Sequence, residues 1–305
     1  MRNQELRQRF AELVIPPAWE EVWICTDHQG HIQATGRDEA GRKQYIYHER
    51  WSLVRDYVKY ERLRLFAEAL PTLREKVAAD LRKRKLTRRK VAALVVRLLG
   101  ETLIRIGNRQ YAEENESYGL TTLHDEHAKI KQNDVTFEFR GKSGKEHEVA
   151  LHDKRLARLV KACQDLPGQH LFQYLDEEGN VCALGSGNVN EYLRSVTELD
   201  FTAKDFRTWG GTVSTAHLLH AAGPANEAKA CDQTIVDAIK GTAQALGNTP
   251  AVCRSHYVHP AVLESYRDGS LFQIYQATAQ TYAEDQHGLD LDESAVLAIL
   301  RERRI

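Results

Sequence analysis

The apolar residues of this chain change their spacing once, near Trp51, and that change limits the folds open to it. Before it, Val22 to Cys25, Ile32 to Thr35 and Lys43 to Tyr47 are short extended candidates. Asp-His-Gln-Gly and Gly-Arg-Asp-Glu-Ala-Gly separate them, and such residues favour reversals. From Trp51 onward the spacing is helical. Leu73, Val77 and Leu81 lie four apart, as do Val91, Val95 and Leu99, which puts each trio on one helix face. The expectation is an α+β chain with a small β-rich domain over residues 1–55 and a larger, mainly helical domain over residues 56–305. A chain of 305 residues is long enough for two sizeable cores.

Within the second part, Thr87 is a candidate N-cap and Gly107 stands where that helix would stop. Arg105 is then expected in the last turn, on a rigid support. A three-stranded excursion follows: Leu120 to Leu123, Val135 to Arg140 and Glu146 to Leu151. Gly141 and Gly144 make the last connection a hairpin turn with Lys142 on its tip. After Asp153 the chain reads as mostly helical, with a loop at Gly185-Ser-Gly187 and a closing helix from Asp290 to Arg304.

With 42% apolar and 28% charged residues, the composition is that of an ordinary soluble globular protein. No apolar run approaches the ~18 residues of a membrane span, and MRNQELRQRF lacks the apolar core of a secretory signal. Five scattered cysteines without CxxC spacing fit reduced thiols in a cytoplasm better than a disulfide framework. The net charge of −1 conceals an asymmetry. Residues 1–110 hold 23 lysines and arginines against 14 acids, a surplus of nine; the remainder holds 19 against 29, a deficit of ten. Seven basic residues lie within Arg82 to Lys90. They read either as a field that attracts phosphate or as a solvated helix face.

Gly141-Lys142-Ser143 is not a phosphate loop. Thr136 stands where that motif needs its first glycine, and the flanks are strand on both sides. The His-x-x-His pairs 124/127, 217/220 and 256/259 have no cysteine pair or HExxH frame beside them. They read as structural or surface histidines, and no metal site is expected. What remains is the spaced series Arg105, Lys142, Lys204-x-x-Arg207, Asn248 and Tyr257. A phenol, several cations and an amide are what metal-free attack on a phosphodiester needs: a nucleophile, positive charge for the phosphorane, and a proton donor for the leaving oxygen. Each residue alone is unremarkable, Tyr257 being one of twelve tyrosines. Their joint occurrence in particular local contexts is not.

Those contexts are GRKQYIYH (41–48), IRIGNRQYAEENESYGLTTL (104–123), FEFRGKSGKEHEV (137–149), KDFRTW (204–209), LGNTP (246–250) and CRSHY (253–257). In that order they resemble the poxvirus-like and bacterial type IB DNA topoisomerases over nearly the whole chain. The resemblance implies a β-rich N-terminal domain and a helical catalytic domain forming a C-shaped clamp on double-stranded DNA, acting as a monomer. It makes Tyr257 the nucleophile, with Arg105 and Arg207 clamping the non-bridging oxygens. Asn248 donates a further hydrogen bond, and Lys142 serves as the general acid. Gln44, Tyr45, Tyr47, Asn108, Tyr111 and Lys204 become DNA contacts. The position of Asn248 is histidine in poxvirus members and asparagine in bacterial ones, and only histidine titrates near neutrality. Arg254 stands where the family has a lysine.

The resemblance further implies relaxation of positive and negative supercoils through a 3′-phosphotyrosyl intermediate. It implies no cofactor, no ATP and no metal, and a place in the bacterial cytoplasm on the nucleoid. The alternatives are a tyrosine recombinase, which usually carries histidine where Lys204 stands, and a non-catalytic DNA-binding protein on the same fold. The acidic stretch from Glu284 to Glu293 reads as either a domain edge or a regulator of DNA release.

Overall fold

Two compact units divide the chain, one running to Arg62 and the other beginning at Leu63. The computed structural model describes residues 4–225 and 227–303. In the first unit, helix α1 (Gln4–Glu12) precedes an antiparallel sheet of β1 (Glu20–Ile24), β2 (Ile32–Arg37) and β3 (Lys43–Tyr47), in that spatial order. All three strands were legible in the sequence; α1 was not. It buries none of its side chains, so it carries no apolar periodicity. Arg9 moors it instead, donating to the carbonyls of Cys25 (2.9 Å) and Thr26 (2.9 Å) and to Gln33 Oε1 (2.6 Å).

The β2–β3 turn is set by Asp38. Its carboxylate accepts from the backbone N–H groups of Arg42 (2.9 Å) and Ala40 (3.1 Å). The Arg42 N–H first, then the side chains of Arg42 and Gln44, hold its pKa down to about 2 against the opposing effect of burial. Alternation along β3 turns Lys43, Tyr45 and Tyr47 to solvent. The two tyrosine rings stack at 5.9 Å with planes 13° apart, and Trp23, on β1, is 53% exposed.

The second unit is mostly helical. Helix α2 (Trp51–Leu81), within which the boundary falls, buries Leu63, Phe66, Leu70, Leu73, Val77 and Leu81. At the centre lies α3 (Arg88–Thr102), buried from Lys90 through Val96 and again at Leu98 and Leu99. Thr87 caps it, accepting from Lys90 N at 3.4 Å. The basic run before it is only partly a free surface. Asp80, 5% exposed, pairs with Lys83 (2.6 Å) and Arg89 (2.9 Å) and accepts from the Tyr192 hydroxyl (2.9 Å). Lys90 turns inward to the Lys83 carbonyl. Arg82, Arg84 and Lys85 remain exposed.

After α4 (Arg109–Asn115) come β4 (Ala128–Lys131), β5 (Asp134–Arg140) and β6 (Glu146–His152), an antiparallel sheet in that order. Leu120 to Leu123, expected as a strand, is instead a buried 3₁₀ turn over Leu120–Thr122. Its threonine hydroxyls donate to the Ile106 (2.8 Å) and Gly119 (3.1 Å) carbonyls, a local alternative that competes with strand pairing. The third strand is β4, further along. Helix α5 (Lys154–Gln164), a small hairpin of β7 (Gln173–Leu175) and β8 (Val181–Ala183), and α6 (Ser186–Thr197) follow. Gly185 is therefore the cap of a helix, not the middle of a loop.

Helices α7 (Ala203–Ala222), α8 (Ala228–Ala245), α9 (Pro250–His256), α10 (Pro260–Arg267), α11 (Ser270–Thr281) and α12 (Leu291–Glu302) complete the unit. The end of the acidic stretch is structural. Buried Glu293 pairs bidentately with Arg74 (2.7 and 2.8 Å) and accepts from Trp209 Nε1 at 3.0 Å. That ties α12 to α2 and α7. Among the described residues, no helix is long and apolar enough to cross a membrane.

Candidate active site

Three local devices bring four of the expected residues together in the second unit. The first is a strap. Helix α3 ends at Thr102, and Leu103 takes a left-handed conformation (φ 53°) that turns the chain out of the helix. Arg105 thus lies beyond the helix on an extended segment, not in its last turn as expected. Hydrogen bonds from Leu120 N to the Arg105 carbonyl (2.9 Å) and from Thr121 N to the Ile106 carbonyl (2.7 Å) pin that segment down. Gly107 (φ 94°) and Gly119 allow the close approach, since a Cβ on Gly119 would stand 2.5 Å from the Arg105 carbonyl oxygen. Gly107 therefore serves this crossing and not a helix end.

The second device is α7, whose second turn carries Arg207, 5% exposed. Its Nη1 donates to the Leu103 carbonyl and its Nη2 to the Leu246 carbonyl at 2.9 Å. One guanidinium therefore clasps the start of the strap and the turn after α8. The third device is that turn: Gly247 (φ 61°) places Asn248, and Asn248 Oδ1 accepts from Arg105 Nη2. Two buried donors are left without a partner, Arg207 Nε and Asn248 Nδ2. Such groups cost roughly 1–3 kcal/mol each when unsatisfied, and in native proteins each calls for an explanation.

Tyr257 closes the set. It is half-buried at the end of α9, its N–H donating to the Cys253 carbonyl (2.9 Å) and its own carbonyl accepting from Thr212 Oγ1 (3.3 Å). A Cβ on Gly211 would stand 2.7 Å from that carbonyl, so α7 lies directly against the tyrosine backbone. The Arg207 guanidinium sits over the phenol ring, 5.1 Å from its centroid. Burial lowers the pKa of both arginines, and the charge of Arg105 lowers Arg207 further. The phenol of Tyr257 opposes this at both. No carboxylate is among the groups that act on either arginine.

The other expected residues stand apart from this set. Lys142 is exposed in the β5–β6 connection, a tight turn with Ser143 at φ 64° and Gly144 at φ 71°. Its neighbour Gly141 lines the cleft that also holds Arg105 and Arg207. Lys204 is exposed one turn before Arg207. Asn108 caps α4, accepting from Tyr111 N at 3.2 Å, and Tyr111 is 48% exposed. Gln44, Tyr45 and Tyr47 lie on β3 of the first unit, where Gln44 Nε2 donates to Asp38 at 2.8 Å.

Histidines of all three His-x-x-His pairs have partners within the fold. His124 and His127 pack with Tyr118 and His170, His217 bonds Asp292 (2.9 Å), and His220 stacks on Tyr275 at 3.9 Å. His259 caps α10. One residue in the cleft escaped the sequence reading: His147, on β6. Its signal was the strand alternation itself, which gives it the half-buried face of Val149 and Leu151.

The family model described as eukaryotic DNA topoisomerase I, catalytic core, matches residues 42–285. That of the bacterial DNA topoisomerase IB N-terminal domain matches residues 1–38. The chain is 33% identical over 275 residues to the DNA topoisomerase 1B of Acanthamoeba polyphaga mimivirus, covering 88% of this chain and 82% of that protein. With the DNA topoisomerase 1B of vaccinia virus (strain Copenhagen) it shares 26% over 277 residues, covering 87% and 80%. These matches indicate an isomerase acting on DNA. The chain belongs to the type IB DNA topoisomerases, and the recombinase alternative is not favoured.

Proposed function

We propose that Tyr257 Oη, releasing its phenolic proton to water, attacks a backbone phosphorus of double-stranded DNA, forming a 3′-phosphotyrosyl bond as the bond from phosphorus to the 5′-oxygen breaks. Arg105, Arg207 and Asn248 bind the non-bridging oxygens, and Lys142 gives its proton to the departing 5′-oxygen. The observation that carries this reading is the pair of buried donors without partners, Arg207 Nε and Asn248 Nδ2, beside a phenol lying under a guanidinium. A phosphate oxygen is the acceptor they lack.

Ionising a phenol of pKa ~10 at neutral pH costs about 4 kcal/mol, which neighbouring guanidiniums offset in part. The phosphotyrosyl diester keeps the energy of the broken bond, so rotation and resealing need neither ATP nor metal. The β-rich first unit (proposed domain 1–55, against 56–305 for the catalytic part) grips DNA through Gln44, Tyr45 and Tyr47. Asn108, Tyr111 and Lys204 add contacts from the second. We place the protein as a monomer in the bacterial cytoplasm, on the nucleoid.

Purified protein is expected to relax supercoils of both signs in EDTA without ATP, and denaturant is expected to trap a covalent adduct at Tyr257. Tyr257→Phe should abolish both while still binding DNA. Relaxation that persists in this variant removes Tyr257 as the nucleophile. A wild type that binds DNA but forms no adduct leaves a non-catalytic binding protein.

A further inference from the structure

His147 lines the cleft that holds Arg105 and Arg207. Its ring lies flat on Phe139, centroids 5.1 Å apart and planes 10° apart. On one side is Gly141, where an added Cβ would meet the ring at 2.5 Å; on the other is Gly247, where a Cβ would strike Cε1. Gly141 immediately precedes Lys142, and Gly247 immediately precedes Asn248. The imidazole is therefore the spacer between the hairpin that carries the lysine and the turn that carries the asparagine.

We propose that neutral His147 is a positioning residue for strand cleavage, setting the distance between Lys142 and Asn248, and that protonating it unseats the ring and slows the reaction. This rests on the roles proposed above for those two residues. The groups facing the ring are Arg105 from the strap, Arg207 from α7, and Lys145 and Glu146 from its own hairpin. Tyr118 lines the same cleft. Burial, then the charges of Arg105, Arg207 and Lys145, depress the imidazole pKa, with only Glu146 opposing. The neutral form is therefore the one held at neutral pH. A protonated imidazole would add one more cation to a space that already faces Arg105, Arg207 and Lys145.

The test is single-turnover cleavage of a duplex by the full chain, with the Tyr257 adduct trapped by denaturant from mildly acid to neutral pH. His147→Ala, which removes the spacer, is expected to slow adduct formation roughly 10- to 100-fold at neutral pH, the scale of a ~1 Å misplacement. Its DNA affinity should not change. His147→Phe keeps a flat ring on Phe139 and cannot be protonated. It should recover most of the neutral rate and lose the acid limb, which in the wild type lies below the ordinary imidazole range. Equal rates for wild type and His147→Ala at every pH would overturn the proposal, as would an unchanged acid limb in His147→Phe. If His147→Ala melts early, the phenylalanine variant decides. A wild type without any adduct would instead bring down the catalytic reading on which the proposal stands.

Discussion

The guanidinium pocket and the β5–β6 hairpin tip lie on one cleft and are built in opposite ways. In the pocket, backbone carbonyls of Leu103 and Leu246 hold Arg207, and the amide oxygen of Asn248 holds Arg105. Their cost of ordering is met during folding. At the tip, Lys142 is exposed on a turn with two left-handed residues in succession. The difference matches the work we assign to each. Charge stabilisation of a phosphorane needs groups that do not reorganise, whereas a proton donor has only to reach one oxygen in the transition state.

The largest effect expected from breaking this contrast falls on the tip. Lys142→Ala should lower the cleavage rate about 10²–10⁴-fold, the usual worth of a general acid, and leave DNA affinity and melting temperature unchanged. Replacing the 5′-bridging oxygen by sulfur should restore the rate, because a thiolate of pKa ~8.5 leaves without a proton. If sulfur substitution left the variant slow, Lys142 would be a binding group and not an acid.

In the pocket, Asn248→Ala removes one unpartnered donor and also the acceptor that holds Arg105. Loss of a single preorganised donor of this kind costs about 10²–10³ in rate. Here the loss should not respond to the sulfur leaving group, which separates pocket from tip in one experiment. A sulfur rescue equal to that of Lys142→Ala would show that Asn248 serves proton transfer.

The same contrast governed what could be read from residue order. The tip was legible because its cause is local: alternation on both flanks and glycines at 141 and 144. The capped helix α3, with its buried trio Val91, Val95 and Leu99, was legible for the same reason. The strap was not. Its departure point is a leucine in a left-handed conformation, which no residue preference announces, and its glycines serve a crossing between segments distant in sequence. Arg105 was thus singled out but placed on the wrong support. Asn248 and Tyr257 were found through short contexts, but their convergence depends on Gly211 and Gly247, whose partners are known only in three dimensions. His147 stayed hidden because its two neighbours come from different segments.

The smallest effect on chemistry, and the sharpest on the framework, is expected at Glu293. This carboxylate anchors Trp209, two residues beyond Arg207, and Arg74 of α2. Burial alone would raise its pKa, but the hydrogen bond and charge of Arg74 and the Trp209 N–H hold it below the ordinary glutamate value. A depressed carboxylate stabilises the fold fully above its unfolded pKa, and the contribution is lost as pH falls through the folded value. Glu293→Gln, which keeps the shape and removes the charge, should cost roughly 1–3 kcal/mol at neutral pH. The gap in melting temperature between variant and wild type should narrow as pH drops below the ordinary glutamate range. Cleavage by the folded variant should match the wild type, since Arg207 keeps both of its carbonyl partners. A slowed reaction at unchanged stability would mean that the pocket is tuned from α12, and that its rigidity is not the property of the three local devices alone.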